Sequence, residues 1–492
     1  MPKNSKNVGF YKDLVLIILF VLLFVLTSSY KLDFLIWLVS VPLLLLVYKK
    51  PLKMAALLAL TPSILAVFIS IIWVKEYSWS AYILSSTLLS SFLFLFAIIF
   101  NILSKKLKGY LQIFIAPFVY SALMILYSFS IINSYWADWA MFQPMMAPLI
   151  WFIGSNGITF LIVLMHSVIA FYILKKDKKV IVTGIIIILV VLGNFIYSYN
   201  AKPEGKNVKV ALLQGNFNQE WEWRLVNAKG IGFDVYENMS IEASKSNPNI
   251  IIWPEYAIAD DVLKDKNLMN RLSNIAKKTK SYLVIGSLRW YNSFYQDERE
   301  RNDIALVFAP DGKLIGEYNS IKPIPFEKWV LAGNEINVFN TDIGKMGISL
   351  CYEETQKVAK DFSKKGAEFL ISLANNQVLD YTSGFYLTNL YTNLRAAENG
   401  KYLVRATNTG ITKIVNPYGK VEAQLEPYTR RILIGDIHLN NRTTFYTNYG
   451  NLILHIVLIL LGILFLMETK KLKAKRLESA IKEDTLWGLH GK

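Results

Sequence analysis

Long apolar runs dominate the first part of the chain and return once near its end. Eight runs are rich in Leu, Ile, Val and Phe and carry few charges, and they cover about 14–28, 32–48, 54–74, 79–103, 110–132, 149–174, 180–198 and 451–467. Apolar runs of roughly 17–25 residues are long enough to cross the hydrocarbon core of a bilayer as helices. The pattern therefore predicts an integral membrane α-helical bundle of eight spans.

Residues 199–449 follow a different pattern. Short β-like runs alternate there with helical stretches, which we predict at about 219–246, 262–279, 356–366 and 382–399. Several short runs, such as 250–253 and 346–350, are apolar on consecutive residues, as expected for strands buried on both faces. The chain thus divides into seven transmembrane helices (1–198), a globular α/β sandwich with outer helices (199–449), and an eighth transmembrane helix with a basic tail (450–492).

Basic residues are concentrated in alternate loops of this predicted bundle. If the N-terminus is cytoplasmic, the cytoplasmic segments hold 20 Lys and Arg residues against six Asp and Glu residues, whereas the short outer loops hold only Lys31 and Lys75 as basic residues. The positive-inside rule then places both termini in the cytoplasm and residues 199–449 on the extracytoplasmic face of the cell membrane. Since these loops carry most of the net charge of +16, the basic excess indicates topology and not a nucleic-acid partner.

Cys351 is the only cysteine of the chain, and it directly follows the apolar run 346–350. A single cysteine cannot form a disulfide within the chain. A free thiol in an extracytoplasmic domain is compatible with two roles, a small buried core residue or a reactive nucleophile. On composition alone, the small buried core residue is the favoured role.

Charged groups follow or lie between other strand-like runs of the same domain. Glu255 follows the run 250–253 through Pro254, and Lys322 lies between the two runs. Transfer of an acyl group through a thioester needs a nucleophile, a base and a cation or donor at the developing oxyanion. Cys351, Glu255 and Lys322 are candidates for these roles. Glu255 is equally compatible with a solvated carboxylate, and Lys322 with an exposed loop lysine.

A cysteine–histidine site is the competing arrangement. His166 and His455 lie in predicted spans and His490 in the tail, so only His438 belongs to the globular domain. A papain-like reading would therefore depend on one residue near the end of that domain. The sequence contains no Cys/His cluster, no HExxH motif and no glycine-rich phosphate loop, so we predict neither a metal nor a cofactor.

Several motifs in this order resemble the nitrilase, or carbon–nitrogen hydrolase, superfamily, whose mark is a Glu-Lys-Cys triad. They are 210–216, Trp253-Pro254-Glu255, Pro325-Phe326, Cys351-Tyr352-Glu353, and 395–400 followed by 405–412. With the predicted spans around the domain, and with 154–160 resembling the start of a sixth span, nearly the whole chain resembles the bacterial apolipoprotein N-acyltransferase family. The resemblance implies a nitrilase-like αββα sandwich for the globular domain.

The resemblance also implies a reaction and the residues that perform it. Glu255 would be the base and Cys351 the nucleophile, with Tyr352 and Glu353 supporting the site. Cys351 would take a fatty acyl chain from a phospholipid and pass it to the N-terminal amine of a lipid-modified lipoprotein cysteine. Two alternatives stay open: a membrane-tethered amidase or acyltransferase acting on another amine, and a degenerate nitrilase-like binding module.

Three positions depart from the family pattern. Ser320 stands where the family lysine usually lies, two residues after a tyrosine, and Lys322 lies two residues further on. Positions two apart in an extended segment point to the same face, so Lys322 is the expected replacement. Glu327-Lys328 stands where the family often has Gly-Glu, and Val378-Leu379 replaces a frequent aromatic pair.

Overall fold

The computed structural model describes residues 3–129, 137–217, 231–291, 300–325, 327, 329–379 and 382–489. Their α-helices, in chain order, are α1 (Lys3–Ser29), α2 (Val41–Val47), α3 (Leu52–Ser70), α4 (Trp79–Lys106), α5 (Ile115–Tyr127), α6 (Leu149–Lys175), α7 (Lys179–Asn200), α8 (Ile231–Ser244), α9 (Lys266–Thr279), α10 (Val358–Lys364), α11 (Ser383–Asn399), α12 (Phe445–Tyr449) and α13 (Leu452–Leu489). Within this part of the chain, seven helical segments are long and apolar enough to cross a membrane, and they lie in α1, α3, α4, α5 with the turn before it, α6, α7 and α13.

The structure differs from the predicted eight helices at 32–48. A 3-10 helix (Asp33–Trp37) and the short helix α2 replace one continuous span there. Pro42 lies at the start of α2, where its missing N–H and its ring disfavour continuation from the preceding turn. The His166 ring of α6 lies 2.6 Å from both the Ile36 carbonyl oxygen and the Ser40 hydroxyl. These contacts satisfy polar groups at the break inside the bundle.

The 3-10 helix and α2 together still lead the chain back from the end of α1 to the start of α3. Lys50 forms an ion pair of 2.9 Å with Asp13 near the start of α1. At the other end of these helices, the hydroxyls of Ser28 and Ser70 lie 2.9 Å apart. Helices α1 and α3 therefore run in the same direction, which requires the segment between them to run in the opposite one.

The two ends of the bundle have different surroundings. Near Lys50, the Asn101 amide of α4 donates to the carbonyl oxygens of Val47 and Lys50, and Lys175 at the end of α6 contacts Gln112. The lysine-rich loops therefore gather at this end. At the opposite end, Ser383 of α11 donates to the Ser70 carbonyl, so the globular domain docks there.

The globular domain contains two six-stranded sheets. The strands are β1 (Asn207–Gln214), β2 (Ile250–Ile252), β3 (Tyr282–Trp290), β4 (Arg301–Phe308), β5 (Leu314–Asn319), β6 (Val338–Thr341), β7 (Gly344–Leu350), β8 (Phe369–Ala374), β9 (Leu403–Thr407), β10 (Lys413–Val415), β11 (Val421–Gln424) and β12 (Arg431–His438). Their order is β12-β1-β2-β3-β4-β5 in one sheet and β11-β10-β9-β8-β7-β6 in the other.

The sheets pack face to face, with helices outside. Buried residues such as Leu212 and Ile252 of one sheet share a core with Ile348 and Ile371 of the other. Helices α8 and α9 cover the first sheet, and α10 and α11 lie on the second. The predicted αββα sandwich is confirmed.

This topology brings particular strand ends together. Strands β1, β2 and β3 are parallel, and so are β7, β8 and β9. In parallel strands the carboxyl ends share one edge of the sheet, where ligands commonly bind. Glu255 follows β2, Cys351 follows β7 and Asn375 follows β8. Helix α11 packs between the second sheet and the membrane bundle, with Leu387 and Leu394 in the core of the bundle.

Candidate active site

Cys351 opens a short 3-10 helix (Cys351–Glu354) directly after β7. Its φ of +38° lies in the left-handed region that L residues rarely adopt. The Glu353 carboxylate accepts the Leu350 N–H at 2.8 Å and so ties the turn to the strand. Burial, followed by the Glu255 charge, raises the pKa of the Cys351 thiol. The sulfur therefore stays protonated at rest and needs a base before it can attack.

Glu255 is that neighbouring group. Its side chain is buried and hydrogen-bonded to the Cys351 thiol, and its Oε2 accepts the Asn375 N–H at 2.8 Å. The Asn375 carbonyl oxygen lies 4.0 Å from the Cys351 sulfur. Burial, followed by the charge of Asp303, raises the pKa of Glu255 well above its usual range. A carboxylate with a raised pKa in contact with a thiol is suited to remove its proton.

A glycine in β3 permits the backbone of Glu255 to approach this closely. A Cβ on Gly286 would lie 2.5 Å from the Pro254 carbonyl oxygen and 2.6 Å from the Glu255 Cα. Either distance is below any van der Waals contact, so a larger residue would push the Glu255 segment away from β3.

The structure does not bring the Lys322 side chain to Glu255 and Cys351. Lys322 is exposed, and its charge acts on Asp361. The segment after β5 is a turn here: the N–H groups of Ile321 and Lys322 both donate to Glu353 Oε1, at 2.8 and 3.2 Å. Consecutive N–H groups cannot point at one atom in an extended chain. The structure therefore contradicts the expectation that Lys322 takes the place of the family lysine at position 320.

Glu353 and Tyr352 occupy different parts of the site. Glu353 Oε1 also accepts the Tyr318 hydroxyl at 2.8 Å, so one buried carboxylate connects the end of β5 with the turn of Cys351. Burial raises the pKa of Glu353 to about 7 despite these hydrogen bonds. Tyr352 faces the membrane bundle and lines an apolar cavity between bundle and domain.

A buried cation that the sequence did not reveal lies at the start of β4. Arg301 is 3% exposed, and its Nε lies 3.2 Å from Asp303 Oδ1. Its Nη2 contacts the Tyr256 hydroxyl at 3.1 Å and Glu327 Oε2 at 3.4 Å. Glu327 thus brings a second carboxylate near Glu255, one position before the family glutamate. Lys328 and Phe326 lie outside the described residues.

Two arginines from the family-like motifs bind the short helix that begins at Cys351. Arg395 donates to the carbonyl oxygens of Glu354 and Thr355 at 3.1 and 3.0 Å. Arg405 forms a buried ion pair of 2.8 Å with the Glu354 carboxylate, and it also contacts Asn376. Such charge-assisted bonds fix backbone geometry more firmly than neutral ones.

The membrane bundle contributes a further group to the site. Tyr77 lies between a 3-10 helix (Ile72–Glu76) and α4, and it lines an apolar cavity with Tyr352 and Pro325. Burial, followed by the charges of Cys351 and Glu327, raises the pKa of Tyr77, so its phenol stays a hydrogen-bond donor. Locating it requires the docking of the bundle on the domain, which no local sequence pattern encodes.

A second apolar cavity continues into the bundle. Its walls include Phe24, Val67 and Phe92. Ile71 and Leu89 line both cavities. The two apolar cavities are therefore adjacent, and the one nearer the globular domain is lined by Tyr352, the neighbour of Cys351.

The histidine alternative receives no geometric support. His438 ends β12 at the edge of the first sheet, where it pairs with Asn207, and its ring faces Tyr402 at 6.0 Å between ring centres.

Leu379, at the place of the frequent aromatic pair, is buried against the bundle.

Comparison with known proteins gives consistent similarities. Residues 209–446 match the carbon-nitrogen hydrolase family. An apolipoprotein N-acyltransferase of Geobacter metallireducens is 26% identical over 330 residues, which cover 61% of this chain and 62% of that protein. Another, of Wigglesworthia glossinidia brevipalpis, is 28% identical over 403 residues, which cover 74% and 78%. The alignment therefore spans less than two thirds of the first relative and more than three quarters of the second.

Among solved structures, Saccharomyces cerevisiae Nit3, a member of branch 10 of the nitrilase superfamily, is similar to the globular part. It is 20% identical with a TM-score of 0.40, and the match covers 48% of this chain and 92% of that one.

Proposed function

We propose that this chain, a membrane-bound member of the carbon–nitrogen hydrolase superfamily, transfers a fatty acyl chain from a phospholipid to the N-terminal amine of a lipid-modified lipoprotein cysteine. One observation carries the proposal: Tyr352, next to Cys351, lines an apolar cavity that shares Ile71 and Leu89 with a second apolar cavity inside the membrane bundle, and the two would form a path for an acyl chain. A soluble amide substrate needs no such path, whereas an acyl chain does. The named relatives support the choice of acceptor.

In the first half-reaction, the Cys351 sulfur attacks the ester carbonyl carbon of the phospholipid while Glu255 accepts the thiol proton. A carbon–sulfur bond forms and the ester carbon–oxygen bond breaks. Glu255 returns the proton to the departing alkoxide, so a lysophospholipid leaves and the acyl chain remains as a thioester. We assign the phenol of Tyr77, whose charged form is disfavoured, as the donor to the oxyanion.

In the second half-reaction, the acceptor amine attacks the thioester carbon. Glu255 takes a proton from the amine nitrogen, the carbon–sulfur bond breaks, and the proton passes to the Cys351 sulfur. An amide is formed and the thiol is restored. The scheme needs neither a metal nor a cofactor, because the leaving groups and protons are handled by Glu255 and Cys351 alone.

The proposal includes an orientation. The lysine-rich end of the bundle faces the cytoplasm with both termini, and the globular domain lies on the extracytoplasmic face. In this orientation, Cys351 lies near the outer leaflet, where phospholipid and lipoprotein substrates are both membrane-bound.

Mass spectrometry of the purified full-length protein tests the proposal. The protein is incubated in micelles with a phospholipid that carries a labelled acyl chain, and then with a diacylated lipopeptide. We expect a labelled adduct on Cys351 and then an N-acylated peptide, and neither product with Cys351→Ala. Free fatty acid without N-acyl peptide would instead indicate hydrolysis. An unaltered cellular phenotype of Cys351→Ala would indicate a binding module.

A further inference from the structure

We infer that Arg301 is the positioning residue that keeps Glu255 able to act as a base, by balancing the carboxylates around it in place of a lysine at position 320. The inference rests on the proposed roles of Glu255 and Cys351. It concerns the charge balance of the site, for which the family pattern offers a different residue.

Position 320 holds no charge in this chain. Ser320 is buried, and its N–H donates to the Asp303 carbonyl oxygen at 3.0 Å. Lys322 is exposed on the far side of the turn. Arg301, in contrast, lies two residues before Asp303 on the same strand and is almost completely buried. The buried cation of this chain, Arg301, thus lies at the start of β4, whereas the family pattern places a lysine just after the neighbouring strand β5.

Arg301 contacts the groups that act on Glu255. Asp303 and Glu327 are the two carboxylates whose charges raise the pKa of Glu255, and the Arg301 guanidinium lies 3.2 Å from the first and 3.4 Å from the second. Its third partner is the hydroxyl of Tyr256, which directly follows Glu255 and has a φ of +54°. The positive charge of the guanidinium thus lies beside both carboxylates and offsets the field that they exert on Glu255.

Three carboxylates in one buried site need a compensating charge. Without one, burial and mutual repulsion favour protonation of all three, and a protonated Glu255 accepts no proton from the thiol. Burial raises the pKa of both Asp303 and Glu327, and the Arg301 charge acts against this rise. Burial also opposes the Arg301 charge, but Tyr256 and Asp303 outweigh it and raise its pKa, so the guanidinium stays charged.

The surroundings of Arg301 fix its position. Its guanidinium lies 5.5 Å from the ring centre of Tyr256 and 5.8 Å from that of Trp290. Its backbone accepts the Leu331 N–H at 2.7 Å and donates to the Trp329 carbonyl oxygen at 3.0 Å. These bonds hold the segment of Glu327 against β4. A planar guanidinium can bridge two carboxylates and a phenol at once, which a single ammonium does less well.

Alkylation of Cys351 by iodoacetamide tests the inference without any lipid. Because the chain has one cysteine, the mass shift of the full-length protein in micelles reports one site. The alkylation rate rises with pH as Glu255 ionises. We expect Arg301→Met to move this curve upward by about one pH unit, which lowers the rate at pH 7 by about tenfold. Arg301→Lys keeps the positive charge but loses the planar guanidinium that contacts both carboxylates, so its curve should move less than that of Arg301→Met.

Two further variants serve as controls. Arg271 also pairs with two carboxylates, those of Asp234 and Glu237, but on the domain surface. Arg271→Met should leave the curve unchanged. Ser320→Lys, added to Arg301→Met, restores a cation at the family position and should move the curve at least halfway back.

The inference is overturned if folded Arg301→Met keeps the parental curve, if Arg271→Met shifts the curve equally, or if Ser320→Lys restores nothing. If Arg301→Met does not accumulate, Arg301→Gln, which also removes the charge, decides, and an unchanged curve of folded Arg301→Gln would overturn the inference. A shifted alkylation curve without any thioester from phospholipid would refute the proposed function alone. Normal acyl transfer with an unshifted curve would refute this inference alone.

Discussion

Glu255 and Asn375 are joined by a hydrogen bond of 2.8 Å from the Asn375 N–H to the Glu255 carboxylate. The bond connects the two sheets of the sandwich, since Glu255 follows β2 and Asn375 follows β8. The Asn375 carbonyl faces the Cys351 sulfur as well. The proposed base and the proposed nucleophile are thus both contacted by one strand end that belongs to neither of them.

Replacing Glu255 by Gln should abolish most acyl transfer with little loss of stability. Glutamine keeps an oxygen that can accept the Asn375 N–H, but it cannot take the thiol proton. We expect the initial rate of N-acylation to fall by about 10²–10⁴-fold while the melting temperature stays near the parental value. Glu317→Gln, which alters a partly exposed ion pair with Arg289, is the matched control. A Glu255→Gln variant with more than about a tenth of the parental rate would exclude this residue as the base.

Replacing Glu353 by Gln should destabilise the domain. The Glu353 carboxylate accepts bonds from Tyr318, Ile321, Lys322 and Leu350, and an amide NH₂ would face at least one of these donors. We expect the free energy of unfolding to fall by about 1–3 kcal/mol. Chemical denaturation of the full-length protein in micelles measures it.

Tyr318→Phe provides a graded comparison, because it removes one of the four donors and leaves the carboxylate in place. Its cost should be smaller, about 1 kcal/mol. Equal stability of Glu353→Gln and the parent would show that this carboxylate does not hold the turn of Cys351.

The sequence predicted those parts of the molecule that depend on local pattern. Apolar runs of sufficient length became helices, and doubly buried strands formed the centre of each sheet. Glu255 and Cys351 were predicted to be neighbours because each follows such a strand and parallel strands of a sandwich end at a common edge, and the structure brings the two side chains together. The span at 32–48 was expected as one helix because hydropathy measures length and not continuity, and Pro42 interrupts it.

The rest of the site depends on relations that no local pattern contains. Lys322 was expected to reach the site on the assumption of an extended chain, but the Glu353 carboxylate folds that segment into a turn. Arg301 meets Glu327 only through the pairing of β4 with the segment after β5. Tyr77 enters only through the docking of two domains. Strand register and domain docking are set by tertiary packing, so these residues become visible only in the folded chain.

The pH dependence of thioester formation should follow Glu255. The reaction requires its ionised form, and its pKa is raised above the ordinary value of about 4.3, so activity should be present above the raised pKa and lost as the pH falls through it. Asp303→Asn removes one of the charges that raise this pKa. The acid limb of the rate should therefore move to lower pH, as measured by labelled acyl adduct on Cys351 between pH 4 and 8, roughly the range in which a perturbed glutamate titrates.

Asp342→Asn is the control for Asp303→Asn, because Asp342 bonds to the Tyr282 hydroxyl at the opposite end of the first sheet. Its acid limb should match that of the parent. An acid limb of Asp303→Asn that stays in place or moves to higher pH would contradict the electrostatic coupling of Asp303 to Glu255.

Obstruction of the apolar path should reduce the use of long acyl chains selectively. Leu89 of α4 lines both cavities, so a tryptophan there would fill the junction between them. We expect Leu89→Trp to lower the rate with a dipalmitoyl phospholipid by about tenfold, which is the effect of losing about 1.4 kcal/mol of favourable burial, and to leave the rate with a short-chain ester nearly unchanged. Leu95→Trp, at an exposed position of the same helix, should affect neither rate. If Leu89→Trp lowered both rates equally, the defect would lie at Cys351, and the path would not be where the chain binds.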